Sequence, residues 1–305
     1  MKQKSILVVC PNPAIDVFAS VDQFEIGFPN RIKKEKKYPG GKGLHVGMAL
    51  SELGLNVTIA GFWGGESGQW IKNTCNEYYP NIRFIGPELK QWSRSCYTFK
   101  SAGKFDDTEI LGTGPEITTE EYQSFLANIE SCLSDANFMV LSGSWPKGSP
   151  EDGYAELITT AKKAGINSML DCTGAQLKYA LRAEPYAVHL NRKEITEYYQ
   201  CDFDNAKKEI LLSCELAAIT DGSKGLFLLT PSKSYHSLSK IDKVVSTIGA
   251  GDCLTAGVVA GISEGLDFQK IANLGAACGA ANCMREELGM LYNSDVKTLY
   301  SDTSD

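Results

Sequence analysis

The sequence predicts an α/β protein: a mostly parallel sheet flanked by helices on both faces, with a small β-sheet lid. Two observations predict the large sheet. Short apolar runs with β-branched residues recur along the 305 residues, and amphipathic stretches of helical length separate most of them. A third observation predicts the lid, because two segments interrupt this alternation with strand-like residues around turn clusters.

The apolar runs justify the strands of the large sheet. We predict strands at Ile6–Cys10, Val57–Gly61, Phe138–Gly143, Ser168–Cys172, Ala187–Asn191, Leu216–Thr220 and Leu226–Thr230. The amphipathic stretches predict helices at Leu44–Leu53, Thr118–Leu133 and Gly153–Ala164. Strands that alternate with helices favour a parallel sheet whose two faces are both covered.

The two interrupting segments are Val17–Tyr38 and Ser95–Gly112, the second with a turn cluster at Asp106–Asp107. Both lie beside the Gly and Arg residues that are most suggestive of a site. We therefore assign residues 12–38 and 92–114 to a small β lid over a crevice, and residues 1–11, 39–91 and 115–305 to the α/β core.

The composition excludes several classes of function. The net charge of -7 gives no general attraction for nucleic acid or for an anionic membrane surface, so we expect neither as a partner. The sequence shows no secretory signal and no stretch of membrane-spanning length. Its ten cysteines form no CxxC pair, which favours reduced thiols and a cytoplasmic location.

The most informative motif is a Gly-Ala-Gly turn at Gly249, Ala250 and Gly251, followed by Asp252 in the first turn of a predicted helix. The apolar run Val244–Ile248 is expected to enter this turn as a strand. Free backbone N–H groups at the positive end of a helix form an anion site, and an adjoining carboxylate can accept a proton from a hydroxyl. An equally weighted alternative is a helix cap with small residues that allow close packing.

A second turn precedes the predicted helix near the N-terminus. Gly40, Gly41 and Lys42 combine free amides, a helix start and a cation, and Asp16 follows the first predicted strand. The frames of a P-loop and of a dinucleotide fold are both absent, and the latter makes an NAD-dependent enzyme unlikely on this pattern. Alone, these residues are more typical of plain turns.

Together the motifs resemble the ribokinase-like carbohydrate kinases, or PfkB family, and within it the branch of 1-phosphofructokinases and tagatose-6-phosphate kinases. The resemblance covers nearly the whole chain. It rests, in this order, on Asn12–Asp16, Gly40–Gly43, Ser142–Ser144, Leu170–Gly174, Asn191–Glu194, Thr220–Gly225 and Thr247–Asp252.

The resemblance implies an ATP-dependent kinase of ribokinase-like fold that uses a divalent cation, normally Mg²⁺. Asp252 would be the base, and Gly249, Ala250 and Gly251 the anion hole. The sugar site would include Asp16, Gly40, Gly41 and Lys42. The ATP site would include Asn191, Glu194, Thr220, Gly222 and Gly225, with Glu194 near the metal through water.

Some of these residues also fit ordinary structural roles. Asn191 and Glu194 have the spacing of a helix capping box. Gly222 and Gly225 could be hairpin glycines between two predicted strands. Taken alone, these patterns favour the structural roles, and only the whole series of motifs favours nucleotide binding.

Two positions bear on the acceptor. Arg94 stands where the phosphosugar branch carries a Thr-Arg pair, and with Lys42 it could bind an acceptor that already carries a phosphate. His45 replaces the Asn of the family pattern GGKGxN and belongs to the predicted sugar site. We therefore expect a phosphorylated ketohexose as acceptor, such as fructose 1-phosphate or tagatose 6-phosphate.

Three expectations stay open at this point. A kinase of an unphosphorylated sugar or a nucleoside would keep the Asp252 motif and leave Arg94 unused. A catalytically silent sugar-binding regulatory protein could have the same fold. Strand edges in the lid could also pair between two copies and give a homodimer.

Overall fold

The fold was analysed in a computed structural model, which describes residues 5–103 and 105–302. In chain order the strands are β1 (Ser5–Val9), β2 (Ala14–Ser20), β3 (Lys34–Gly40), β4 (Val57–Ala60), β5 (Trp63–Gly64), β6 (Arg83–Ile85), β7 (Glu88–Leu89), β8 (Arg94–Lys100), β9 (Thr108–Leu111), β10 (Ala136–Ser142), β11 (Asn167–Asp171), β12 (Ala187–Asn191), β13 (Leu216–Thr220), β14 (Leu226–Leu229) and β15 (Ser234–Ser237). The helices are α1 (Lys42–Glu52), α2 (Gly65–Tyr78), α3 (Thr119–Glu130), α4 (Gly153–Lys163), α5 (Ala175–Arg182), α6 (Arg192–Tyr199), α7 (Phe203–Ile210), α8 (Ala250–Ser263), α9 (Phe268–Cys283) and α10 (Asn293–Asp302).

The large sheet has nine strands in the order β15-β14-β13-β12-β11-β10-β1-β4-β6. Its strands pair in parallel from β6 to β13, and β14 and β15 are added antiparallel at one edge. The chain direction across the sheet reverses at β1, which has β4 on one side and β10 on the other. Such a switch point opens a crevice at the carboxyl ends of the strands.

Helices cover both faces of this sheet, which confirms the predicted fold class. Successive side chains of a strand point to opposite faces. Accordingly Ile6 and Val8 pack with α1, α8 and α9, whereas Leu7 and Val9 pack with α3, α4 and α5. Each buried apolar side chain stabilises the fold by about 1.5–3 kcal/mol, so this alternation fixes the register of the strand.

Two predicted elements need correction. The helix expected at Thr118–Leu133 is α3, which ends at Glu130 and is followed by a short 3₁₀ turn. The run Val244–Ile248 forms no strand. Val245 N instead donates to Cys283 O at 2.7 Å, at the end of α9, so the run has no neighbouring strand with which to form a ladder.

A separate four-stranded sheet has the order β3-β2-β8-β9 and contains both segments that interrupt the alternation. Strand β2 is antiparallel to β3 and parallel to β8, and β8 is antiparallel to β9. The predicted division into lid and core stays a prediction, as does the lid motion. A further pair of short strands, β5 and β7, is parallel. Within the described ranges, no helix is long and apolar enough to cross a membrane.

Candidate active site

A cleft of about 840 Å³ lies between the small sheet and the carboxyl ends of β11, β12 and β13. Most of the site residues predicted from the sequence line it: Asp16, Gly41, Lys42, His45, Arg94, Asn191, Glu194, Thr220, Gly249, Gly251 and Asp252. Four predicted residues are not among its lining residues: Gly40, Ala250, Gly222 and Gly225. The motifs are far apart in sequence, and the switch-point topology brings them to one crevice.

The turn before α8 has the geometry that an anion site needs. Gly249 adopts a left-handed backbone with φ 83° and is the N-cap of the helix. A side chain there would collide with the Gly289 backbone, so only glycine fits. Ala250 N donates to Thr247 O at 3.2 Å, whereas Gly251 and Asp252, the next residues of α8, lie at the wall of the cleft, and the helix has no side-chain cap.

Asp252 is buried, with 6% of its surface exposed, and its carboxylate does not cap the helix. Its Oδ2 instead lies 2.8 Å from His45 Nδ1. The other ring nitrogen, His45 Nε2, lies 3.0 Å from Asp16 Oδ2. One imidazole thus lies between two carboxylates, one on β2 of the small sheet and one in the first turn of α8.

These contacts set the charge of the ring. Burial lowers the pKa of His45, but the hydrogen bonds and charges of Asp16 and Asp252 outweigh burial and raise the pKa to about 10. The ring is therefore an imidazolium near neutral pH. Burial raises the pKa of Asp252, and the hydrogen bond and charge of His45 oppose that rise.

A second buried acid holds Lys42. Lys42 Nζ lies 3.1 Å from Asp171 Oδ1, and His189 Nδ1 lies 3.2 Å from Asp171 Oδ2. Burial raises the pKa of Asp171, but the charges of Lys42 and His189 outweigh burial and lower the pKa. The Asp171 charge in turn raises the pKa of Lys42. Lys42 thus projects into the cleft as a fixed cation.

Two glycines allow close packing around Asp16, His45 and Asp252. A Cβ on Gly40 would overlap the Asp16 carboxylate, and a Cβ on Gly289 would overlap the His45 ring. Gly289 also has a φ of 67°, in the left-handed region. Gly40 therefore packs against the Asp16 carboxylate without lining the cleft. This contact gives the glycine a role in the motif.

The structural alternatives for the predicted ATP residues are also visible. Asn191 and Glu194 form a capping box at α6, with Glu194 N donating to Asn191 Oδ1 at 2.9 Å and Asn191 N donating to Glu194 Oε2 at 2.8 Å. Both residues nevertheless line the cleft. Gly222 and Gly225 lie in the connection between β13 and β14, which pair as an antiparallel hairpin. A role in ATP binding stays a prediction for all four.

Arg94 begins β8 and is held by main-chain carbonyls. Its Nε donates to Asn12 O and its Nη1 to Gly112 O, each at 3.1 Å. A guanidinium has five N–H donors, so further donors remain for a ligand. The carboxylate of Glu109 also lines this part of the cleft.

Sequence reasoning missed three functional candidates: Asp171, His189 and Gly289. Asp171 lies in the motif Leu170–Gly174 and His189 in the predicted strand Ala187–Asn191. The signal that marks them is a polar side chain inside an apolar strand. A charged residue ending a buried strand is expected to be paired, and this could have indicated Lys42 as its partner. Gly289 carries no sequence signal, because its role depends on a close approach of distant backbone.

Known proteins resemble this chain over nearly its whole length. The chain is 31% identical to the 1-phosphofructokinase of Bacillus subtilis (strain 168) over 291 residues, which is 93% of this chain and 94% of that protein. It is 30% identical to a tagatose-6-phosphate kinase of Staphylococcus epidermidis over 300 residues, 95% of each chain. The crystal structure of Escherichia coli phosphofructokinase-2 in complex with substrates and products has the same fold, with a TM-score of 0.89, 21% identity, and coverage of 99% of this chain and 100% of that one. Residues 7–291 match the pfkB family of carbohydrate kinases, and the chain belongs to that family.

Proposed function

We propose that this carbohydrate kinase transfers the γ-phosphoryl group of ATP to a hydroxyl of a phosphorylated ketohexose, of the fructose 1-phosphate or tagatose 6-phosphate type. One observation carries the proposal. The buried carboxylate of Asp252 and the main chain of Gly249 and Gly251 at the start of α8 share a cleft with two cations, Lys42 and Arg94. The two relatives named above are both phosphosugar kinases, which supports the same acceptor class.

The residues of the cleft suit in-line phosphoryl transfer. The acceptor oxygen bonds to the γ-phosphorus, the bond from phosphorus to the β,γ-bridging oxygen breaks, and ADP leaves with that electron pair. Asp252 accepts the hydroxyl proton. Ala250 N donates to Thr247 O at 3.2 Å, so the amides of Gly251 and Asp252, at the positive end of α8, stabilise the charge on the transferred oxygens.

Lys42 and Arg94 are the two side-chain cations that would bind the remaining negative charge of the substrates. Asp171 fixes Lys42 at the start of α1, beside the sugar residues Asp16 and Gly41. Arg94 lies on the small sheet, so movement of that sheet would carry its guanidinium towards a bound acceptor. A closed lid would exclude water, which would otherwise accept the phosphoryl group.

The residues present fit Mg²⁺ held mainly by ATP. Among residues 5–103 and 105–302 there is no cluster of three or more His, Cys, Asp or Glu that could bind a metal alone. Mg²⁺ commonly binds through one or two carboxylates together with substrate phosphates and water. Glu194 is the carboxylate of the ATP side that lines the cleft, and it would hold the ion through water. The ion would neutralise phosphate charge.

Asp221 lies between Thr220 and Gly222, two predicted ATP residues, and its negative charge would repel the phosphates of ATP if it were unpaired. Its Oδ2 lies 2.7 Å from Arg192 Nη1 and 3.5 Å from Lys224 Nζ. The Arg192 hydrogen bond is the largest cause of its lowered pKa. The negative charge beside the predicted nucleotide residues is therefore paired with cations.

The test is ADP release by the purified protein with ATP and Mg²⁺. The acceptors are fructose 1-phosphate, tagatose 6-phosphate, fructose 6-phosphate, fructose, ribose and adenosine. Turnover with phosphorylated ketoses alone supports the proposal. Turnover with a free sugar or nucleoside alone would replace the proposal by a kinase of an unphosphorylated sugar or a nucleoside.

Asp252→Asn separates a kinase from a silent binding protein. Loss of general-base catalysis lowers kcat by about 10²–10⁴-fold. Acceptor-stimulated ADP release that survives in Asp252→Asn would remove the assignment of the base. An unchanged kcat in Arg182→Ala, an exposed position on α5, serves as the control.

A homodimer through the small sheet also stays a proposal. Ile110 and Leu111 of the edge strand β9 are 53% and 60% exposed, which suits pairing with a second copy. Light scattering of the wild type and of a charged variant, Ile110→Lys, tests this, with a shift to monomer expected for the variant.

A further inference from the structure

We propose that His45 is a positioning residue that acts as a cationic clamp: it is hydrogen-bonded to Asp252 and ion-paired with Asp16, keeps Asp252 ionised and orients it towards the acceptor. This inference rests on the proposed function and deepens it. It differs from the expectation that His45 contacts the sugar directly. It also gives a role to the replacement of the family Asn in this chain.

The geometry of the ring carries the first step. An imidazolium has two N–H donors and no acceptor. Nδ1 is hydrogen-bonded to Asp252 Oδ2 at 2.8 Å, whereas Nε2 lies 3.0 Å from Asp16 Oδ2 in an ion pair without hydrogen-bond geometry, so both nitrogens of His45 face carboxylates. The ring has no third donor for a sugar hydroxyl, and its influence on the acceptor passes through the two acids.

Burial carries the second step. The side chain of His45 is 4% exposed, and those of Asp16 and Asp252 are 12% and 8% exposed. Two buried carboxylates without a cation would favour protonation, because burial disfavours the charged form. A protonated Asp252 could not accept a proton from the acceptor. The imidazolium therefore preserves the form of Asp252 that acts as a base.

The neighbouring groups act on Asp252 less strongly than His45 does, or not at all. The charge of Lys42, on the same helix, also lowers the pKa of Asp252, but less than His45 does, and Asp171 of β11, to which Lys42 is bound, opposes it. Burial raises the pKa of the Cys10 thiol to about 12, so that group stays neutral. Arg94 of β8 donates to main-chain carbonyls.

The surrounding backbone holds the ring in this position. Gly289 lies so close to the ring that a Cβ would overlap it, and Gly40 lies equally close to the Asp16 carboxylate. These close approaches pack Gly289 against the His45 ring and Gly40 against the Asp16 carboxylate. The clamp is thus built by α1, the small sheet, α8 and the segment before α10.

The first test needs no activity. The chain has three histidines, so ¹⁵N-labelled imidazoles give few signals, and His45→Asn and His236→Gln assign them by loss of one signal each. We expect the His45 ring of the wild type to stay doubly protonated above about pH 9, against about 6.5 for a free imidazole. A His45 signal that titrates near the free value would overturn the clamp even if no acceptor of the panel is phosphorylated.

The second test uses two neutral variants of similar shape. The amide of His45→Asn can reach the place of Nδ1 and that of His45→Gln the place of Nε2, so each keeps one contact and both lose the charge. Because removal of a nearby cation raises a carboxylate pKa, the acidic limb of the kcat profile should move up by about 1–3 pH units in both variants. The KM for ATP should change less than about twofold, since the clamp does not touch the nucleotide side.

The outcomes separate the two proposals. An unmoved acidic limb in correctly folded variants overturns the clamp and leaves the kinase assignment intact. No turnover by the wild type with any phosphorylated ketose overturns the acceptor assignment, and the imidazole titration then still decides whether the clamp exists.

Discussion

Arg94→Ala is the sharpest test of the acceptor class. Arg94 already donates to Asn12 O and Gly112 O, so its charge is fixed at the edge of the small sheet and its remaining donors can meet a phosphate. A hydrogen bond to a charged group contributes about 1.5–3 kcal/mol, which corresponds to a rise of about 10- to 150-fold in the KM of the phosphorylated acceptor. Arg94→Lys should give a smaller rise, because an ammonium keeps the charge without the planar fork.

The assay is coupled ADP release, with the KM of the phosphoketose and the KM of ATP measured separately. The KM of ATP should change by less than about twofold, since Arg94 lies away from the predicted ATP residues. Weak turnover of free fructose, where detectable, should be unaffected by the substitution. Arg182→Ala on α5 is the control for loss of an arginine elsewhere.

Equal increases in both KM values would refute the phosphate contact. They would show that Arg94 acts by holding the segments around Asn12 and Gly112 together, as its two carbonyl contacts also permit. An unchanged KM for every acceptor would show that another group binds the phosphate.

Two further predictions concern the support of the site. Gly289→Ala forces a side chain into the His45 ring at φ 67°, so kcat and the melting temperature should both fall, whereas the matched control Gly265→Ala, at φ 69° with no atom within 4 Å of the added Cβ, should lower only the melting temperature. Asp171→Asn should lower the free energy of unfolding near pH 7 by about 2 kcal/mol, less than the 3–5 kcal/mol typical of a fully buried pair, because the Lys42 side chain is 44% exposed. The folded-state pKa of Asp171 is lowered, so this stabilisation exists above the unfolded pKa of about 3.9 and is lost as the pH falls below it; urea titrations at several pH values should show the two proteins converging under acid.

The sequence predicted the strands of the large sheet well because their signal is local. The runs at Ala187–Asn191 and Leu216–Thr220 coincide with β12 and β13. Both are short apolar runs buried on two faces, and such runs have few alternatives in an α/β protein. The run Val244–Ile248 has similar composition but no strand beside it, and composition alone does not supply a neighbour.

The sequence predicted which residues form the site, but not which of them contact one another. Motif positions placed Asp16, His45 and Asp252 in one region, yet the bond between His45 and Asp252 joins residues 207 positions apart. Its existence depends on ångström-scale distances between α1 and α8. Hydrophobic periodicity specifies which faces pack and does not specify such distances.

The balance of charge in the whole cleft depends on the residue at position 45. Asp16, Glu109, Glu194 and Asp252 line the cleft, against the side-chain cations Lys42 and Arg94 and the imidazolium of His45. Both proposed substrates are anions, so every uncompensated carboxylate opposes their entry. A neutral Asn at position 45 would leave the charges of Asp16 and Asp252 uncompensated, so that both would repel the substrates and burial would raise the pKa of the base. A cation at this position removes both difficulties, because it offsets the two acids before substrate binds and still leaves Asp252 able to accept a proton.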